Sequence, residues 1–260
     1  DDAEGGGQLP SSFLSQVDEI LFACDHPAVQ RSLFSATMGQ QVKQLVDSVL
    51  RKPISISIGT PNAGNANIDQ QLVFTGREEG KLVAIRQLVQ KGLKPPVLIF
   101  VQSKDRAAEL FKELVYDGLN VDVMHSGRTS MQRDRTMKRF RSGQLWVLIC
   151  TELMGRGIDF KGVNMVINYD LPQSAVQYIH RIGRTGRAGR HGTAVTFFTE
   201  GDMDLLRPIA NVVKLSGCEV ADWMLTLKRQ RRDVKKRNET GAPRKRYKIS
   251  TALRGSVKHI

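Results

Sequence analysis

Apolar and polar positions follow two rhythms along this chain, and between residues 81 and 198 the rhythms alternate. "KLVAIRQLVQKG" from Lys81 spaces its apolar residues at helical intervals, and "PPVLIFV" at 95–101 follows as a strand-length apolar run. "SKDRAAELFKELVYDG" predicts a helix closed by glycine, "NVDVMHS" a strand, and "SMQRDRTMKRFRSG" another helix. "LWVLICT" and "GVNMVINYD" read as strands, "SAVQYIHRI" as a short helix and "GTAVTFFT" as the last strand. This alternation predicts an α/β domain: a mostly parallel sheet with helices on both faces. The strands are nearly continuous apolar runs, as burial on both faces requires. Ligands on such sheets bind at the carboxyl ends of strands, so function is expected at 102–103, 125–127, 151–159 and 170–173.

The first 58 residues have a different make-up. "FLSQVDEILFACD" and "GQQVKQLVDSVLRK" are helix patterns, with "RSLFSATM" between them as a strand and its exit. One strand and two helices cannot close a core, so 1–58 is read as the end of a first domain. "TPNAGNAN" at 60–67 carries a linker signal. The expected division is 1–58, a linker at 59–67, a second domain at 68–227, and a flexible basic tail at 228–260.

Composition narrows the class. The chain has 260 residues, 40% of them hydrophobic and 6% aromatic, enough for an aliphatic core. Its longest apolar runs fall far short of the roughly 20 residues of a membrane helix, and no membrane partner is expected. The acidic, glycine-rich start is unlike a secretory signal. Cys24, Cys150 and Cys218 are too scattered for a zinc site and are expected to be reduced and buried. The formal charge is +13, of which residues 228–260 carry +11. Such a tail suits phosphate backbones or a nuclear address, or it is simply solvated.

The most unusual stretch is "HRIGRTGRAGRHG", with arginine at 181, 184, 187 and 190 and glycine at 183, 186, 189 and 192. Four units without proline cannot form collagen. A disordered arginine-glycine segment and an idle solvated loop are alternatives. Geometry supports a third reading. Glycine costs about 1 kcal/mol in a helix interior, so a helix carrying His180, Arg181 and Arg184 ends within the run. Its arginines then stand at a helix end and turn, where planar donors can meet phosphate. Arg181 is assigned to local contacts at that helix end and Arg190 to a solvated extension.

Six elements in order resemble the DEAD-box RNA helicase family: "SAT" at 35–37, "LIFVQSK" at 98–104, "QRDR" at 132–135, "TELMGRGID" at 151–159, "VINYDLP" at 166–172 and "HRIGRTGR" at 180–187. The resemblance covers residues 13–228. It implies two RecA-like domains closing over ATP and single-stranded RNA, with the second domain supplying arginine fingers at Arg184 and Arg187. It implies that His180 couples the nucleotide side to interdomain contacts, as do Ser35 and Thr37, and that Asp159 binds the ATP ribose. Ser103, Gln132, Arg135, Thr151 and Arg156 are the implied RNA contacts.

Part of this is legible without the resemblance. Ser103 opens a helix after a strand, which makes an anion site, although the hydroxyl could serve as a cap only. Gln132 and Arg135 share one helix face, which could equally be a solvated one. Asp159 could be a turn residue. The element "TELMGRGID" departs from the family at Glu152 and Gly155, where aspartate and alanine are usual.

No G-x-x-x-x-G-K-[ST] loop and no D-E-A-D box occur, so the Mg²⁺ ligands and phosphate loop are placed in a first domain, and no metal site is expected in this chain. The implied activity is ATP-dependent RNA helicase action by the whole protein, with this chain inactive alone. The alternative is a truncated, non-catalytic RNA-binding or partner-binding module. "GIDFKGVNMVINYD" and "VVKLSGCEVADWM" resemble the nucleolar branch that matures small-subunit ribosomal RNA. That implies a ribosomal RNA precursor as partner, possible protein activators, a monomer, and the nucleolus as location.

Overall fold

The computed structural model describes residues 13–59, 63–152, 160, 162–228 and 249. The chain divides into two compact units, Asp1–Pro61 and Asn62–Ile260.

The second unit is built on six parallel strands: β1 (Ile68–Phe74), β2 (Val97–Val101), β3 (Val121–Met124), β4 (Val147–Thr151), β5 (Met165–Asn168) and β6 (Gly192–Phe198). Their order is β1-β6-β5-β2-β4-β3. The chain runs from β1 at one edge to β2 in the middle, out to β3, back through β4, and across β2 to β5 and β6. The direction of winding therefore reverses around β2, the position where open α/β sheets leave a crevice.

Alternation along the strands sorts the core into two layers. Val97, Ile99 and Val101 of β2 pack with Leu82 and Ile85 of α3 (Glu78–Gln90) and with Leu110 and Leu114 of α4 (Lys104–Tyr116). Leu98 and Phe100 face the other way, onto Met137 and Phe140 of α5 (Ser130–Arg141). Ala194 and Phe198 of β6 pack with α6 (Ala175–Ile182) and α7 (Met203–Leu215), joined by Met224 of α8 (Asp222–Thr226). Helices thus cover both faces, as the pattern predicts. Three helix starts carry side-chain caps: Ser103, Thr129 and Ser174 each accept from a backbone N–H three residues on.

β1, α7 and α8 lie outside the predicted alternation. In β1, "IDQQLVF" is interrupted by polar residues, yet Gln70 is buried because Tyr178 Oη donates to its Oε1 at 2.9 Å. A buried glutamine with a partner from a distant helix has no signature along the chain.

The first unit contains α1 (Phe13–Ala23) and α2 (Gln40–Val49). Arg31 joins their carboxyl ends, donating to Leu21 O and Cys24 O at 3.2 and 2.9 Å and to Val49 O at 3.3 Å. The strand expected in "RSLFSATM" is not formed among the described residues. A strand needs a ladder partner, and here Phe34 is 93% exposed, while Ile54, Ile56 and Ile58 after the second helix are 90%, 81% and 95% exposed.

Two further expectations change. Cys150 is buried, but Cys24 is exposed and Cys218 only half-buried. In the basic tail, Ile249 is buried in the β2 and α4 core layer, and its N–H donates to Glu109 Oε2 at 2.9 Å, so at that residue the tail is anchored rather than flexible.

Candidate nucleotide and RNA sites

The strand ends bring four of the RNA candidates onto one edge. Thr151, the last residue of β4, is the register partner of Val101, the last residue of β2, and Ser103 lies two residues beyond Val101. β3 pairs with the outer side of β4 and leads into α5, which exposes Gln132 and Arg135. The path Ser103, Thr151, α5 therefore crosses three adjacent strands at their carboxyl ends. Ser103 Oγ accepts from Arg106 N–H at 3.3 Å, so it does cap α4, and it leaves the preceding amides at the positive helix end. Gln132 has a comparable double role: its Oε1 accepts from Thr129 N–H at 3.0 Å in a capping box. His125, at the exit of β3, has its pKa lowered by burial and by the nearby charges of Arg128 and Lys104. Its Nδ1 accepts from Gly127 N–H at 3.1 Å, which suits a neutral ring.

Beneath this edge Asp170 gathers Glu78, Lys81 and Arg106, three charged residues to which the sequence pattern assigns no role. Asp170 accepts from Arg106 Nε and Nη2 at 2.7 Å each, from Lys81 Nζ at 3.1 Å and from the Gln102 N–H at 2.9 Å. Glu78 accepts from Lys81 at 2.9 Å and from Arg106 as well. Burial alone would lower the Arg106 pKa, but the Asp170 and Glu78 carboxylates outweigh it and the net shift is upward. The one sequence signal is Lys81, a cation whose position falls on the apolar face of α3 and whose exposure is 0%. A second buried carboxylate, Asp122 of β3, accepts from Thr136 Oγ1 on α5 at 3.1 Å and pairs with Arg128 at 2.9 Å, tying α5 to the sheet.

The arginine turn lies at the opposite edge. Residues 183–191 lead directly into Gly192, the first residue of β6, so they stand at the amino ends of the strands and not at the carboxyl ends where function was expected. The turn is anchored there by Asn65 Nδ2, which donates to Gly186 O at 2.8 Å, and by Thr185 Oγ1, 2.7 Å from Val163 O. Gly186 has φ +66°, and a Cβ on it would lie 2.5 Å from Ile68 Cγ1. Gly192 has no room either, since a Cβ would meet Thr185 Oγ1. Two of the four glycines are thus required by close approach. Arg184 and Arg187 each donate from Nε to a carbonyl four residues back, His180 O at 3.3 Å and Gly183 O at 2.8 Å. Both line a cleft of about 330 Å³ with Arg190, Phe160 and Gly162. Its three guanidinium groups suit a polyanion, as a nucleotide phosphate chain would be. His180, half-buried, sits one residue before Arg181 on α6.

Arg181 differs from expectation. Its contacts are not local to the helix end: Nε donates to Glu152 at 2.7 Å, Nη1 donates to Asp170 O at 2.9 Å, and the guanidinium lies 5.3 Å from the Phe100 ring centroid. Helical side chains lean toward the amino terminus of their helix, so Arg181 reaches back to the carboxyl edge while Arg184 serves the amino edge. Arg156 and Asp159 lie outside the described residues.

Residues 80–189 match the helicase conserved C-terminal domain family. The solved C-terminal domain of the DEAD-box protein Dbp5 is 35% identical, with TM-score 0.53, over 58% of this chain and 87% of that one. The chain belongs to the DEAD-box RNA helicases. The ATP-dependent RNA helicase ROK1 of Eremothecium gossypii is 56% identical over 230 residues, 86% of this chain and 40% of its own length. The chain therefore spans about two fifths of that curated relative. Dbp5 of S. cerevisiae, solved bound to RNA and ADP BeF3, is 29% identical with TM-score 0.69, over 88% of this chain and 60% of that one.

In this DEAD-box chain the "SAT" motif of the first unit closes on itself. Ser35 Oγ donates to Thr37 O at 2.7 Å and accepts from Thr37 N–H at 3.2 Å, and Thr37 is buried. Among the described residues no group of three or more His, Cys, Asp or Glu side chains is arranged to hold a metal ion. No helix among the described residues is long and apolar enough to cross a membrane.

Proposed function

We propose that this chain is the distal part of the motor of an ATP-dependent RNA helicase, whose second RecA-like domain grips single-stranded RNA at one sheet edge and reaches ATP from the other. The observation that carries the reading is the paired placement of Arg184 and Arg187 in one cleft at the amino edge. Two guanidinium groups there would offset charge developing on the γ-phosphoryl group, with Mg²⁺ and the phosphate loop belonging to a first domain. His180, and likewise Ser35 and Thr37, would couple the nucleotide state to interdomain contacts, and Asp159 would take the ribose.

RNA would lie along Ser103, Thr151, Gln132 and Arg135, with Arg156 as a further contact. Contacts to phosphate and 2′-hydroxyl carry little sequence information, so the grip is sequence-tolerant. The resemblance of "GIDFKGVNMVINYD" and "VVKLSGCEVADWM" to the nucleolar branch and the +11 tail support a ribosomal RNA precursor as substrate and the nucleolus as location, with protein activators and a monomeric state as parts of the same proposal.

The test is ATP turnover by the full-length protein. Arg184→Ala and Arg187→Ala are each expected to lower RNA-stimulated hydrolysis about a thousandfold. Both should leave binding of a single-stranded oligonucleotide by the 260-residue chain unchanged. Unchanged turnover in both variants would overturn the finger assignment. Crosslinking in cells is expected to recover ribosomal RNA precursors, and a different RNA class would overturn that part.

A further inference from the structure

Ser103 stands between two residues held by one buried carboxylate. On its amino side, the Gln102 N–H donates to Asp170 Oδ2 at 2.9 Å. On its carboxyl side, Arg106 places Nε on Oδ2 and Nη2 on Oδ1 of the same group, both at 2.7 Å, while its own N–H donates to Ser103 Oγ. The turn that aims the α4 amino terminus is thus clamped from both sides.

We propose that Arg106 is a positioning residue for RNA phosphate, setting the Ser103 turn and neutralising Asp170 so that a phosphate meets a positive helix end instead of a bare carboxylate. The inference rests on the RNA reading of the Ser103 edge. Three observations favour arginine in this role. The guanidinium spans both oxygens of Asp170 and also reaches Glu78, which a point-like ammonium cannot do. Lys81 already supplies the single-point contact to the same two carboxylates. Both cations lie close to the Tyr169 ring, whose centroid is 5.8 Å from Arg106 Cζ and 5.6 Å from Lys81 Nζ. The residues are contributed by α3, α4 and the loop after β5, so a change in any of them would reach Ser103 through Asp170.

A merely structural Arg106 would alter the melting temperature without altering RNA affinity well below it. The experiment measures binding of a fluorescein-labelled single-stranded uridine oligonucleotide to the 260-residue chain at low temperature, alongside thermal melting. Arg106→Lys is expected to keep the fold and weaken binding roughly tenfold, the loss of about one charge-assisted bidentate contact. Ser103→Ala should weaken binding by itself and add little on top of Arg106→Lys, because both act through one turn. Arg86→Lys, in the ion pair with Asp117 at the far end of α4, should lower the melting temperature only. Glu78→Gln supplies a milder variant should Arg106→Lys fail to fold, and a smaller loss in the same direction is expected. Wild-type affinity in folded Arg106→Lys or Glu78→Gln, or additivity with Ser103→Ala, would overturn the proposal. If Ser103→Ala alone binds as wild type, the RNA reading of Ser103 fails. The positioning claim is then judged by the amide resonances of Gln102, Ser103 and Lys104 without RNA, which must shift in Arg106→Lys.

Discussion

Arg181 donates from Nε to Glu152 at 2.7 Å across 29 residues of sequence, joining the helix that leads into the arginine turn to the residue that follows β4. The Arg181 side chain is 5% exposed and that of Glu152 20%. Removing one partner leaves the other partly desolvated without its counter-charge. Arg181→Gln is therefore expected to lower unfolding free energy by roughly 2–3 kcal/mol in urea titrations. Glu152→Asp, which restores the usual family residue, should cost less than about 1 kcal/mol, since the charge is kept and only a methylene is lost. Equal losses in the two variants would show that the charge is not what Arg181 needs.

Gly186 and Gly189 both have positive φ, but a Cβ would collide with Ile68 only at Gly186. Gly189→Ala should cost about 1–2 kcal/mol of left-handed strain. Gly186→Ala should cost roughly 2–4 kcal/mol, because overpacking adds to the strain. Denaturant unfolding of the two variants side by side measures the difference. In an Ile68→Ala background, which removes Cγ1, the cost of Gly186→Ala should shrink toward that of Gly189→Ala.

His125 has a folded pKa below its unfolded value, through burial first and then Arg128 and Lys104. The unfolded chain therefore takes up the proton first as pH falls. The contribution is fully present above the unfolded pKa of about 6.5 and is lost as pH falls through the folded pKa. His125→Gln is expected to flatten stability against pH in that window, and a steeper acid limb would contradict the assignment.

Burial pushes the Cys150 thiol up to about 12, and the side chain is enclosed in the core. A thiol reagent at neutral pH should modify the exposed Cys24 rapidly and Cys218 more slowly. It should reach Cys150 only at the rate of unfolding. Mass spectrometry of time points resolves the three.

Ile249 is 8% exposed within the main core layer. Ile249→Ala is expected to cost about 2 kcal/mol in denaturant unfolding, whereas a tail free of the domain would show no change. Charge removal is best made by substituting Lys and Arg within 229–246, keeping Ile249. That should flatten the dependence of RNA affinity on salt without lowering stability.

The fold was readable because each strand of the middle of the chain is an apolar run and each helix repeats at its own period. β1 escaped notice because Gln70 breaks the run and is made tolerable by Tyr178 from α6. The candidate site divides in the same way. Ser103, Gln132, Thr151, Arg184 and Arg187 stand out in motifs, whereas Glu78, Lys81 and Arg106 carry no motif and become a unit only when three elements bring them to Asp170.

Residue order alone determined the α/β class, the helix and strand periods, and the chemistry of the arginine and glycine run, since these depend on neighbours within a few positions. Tertiary structure decided that the arginine turn and the Ser103 path occupy opposite edges of one sheet. It also decided that Arg181 reaches from one toward the other and that Gly186 is required by Ile68. Those facts depend on which strands pair and on which atoms of distant segments meet, and parallel pairing across β1, β6 and β5 fixes both at once.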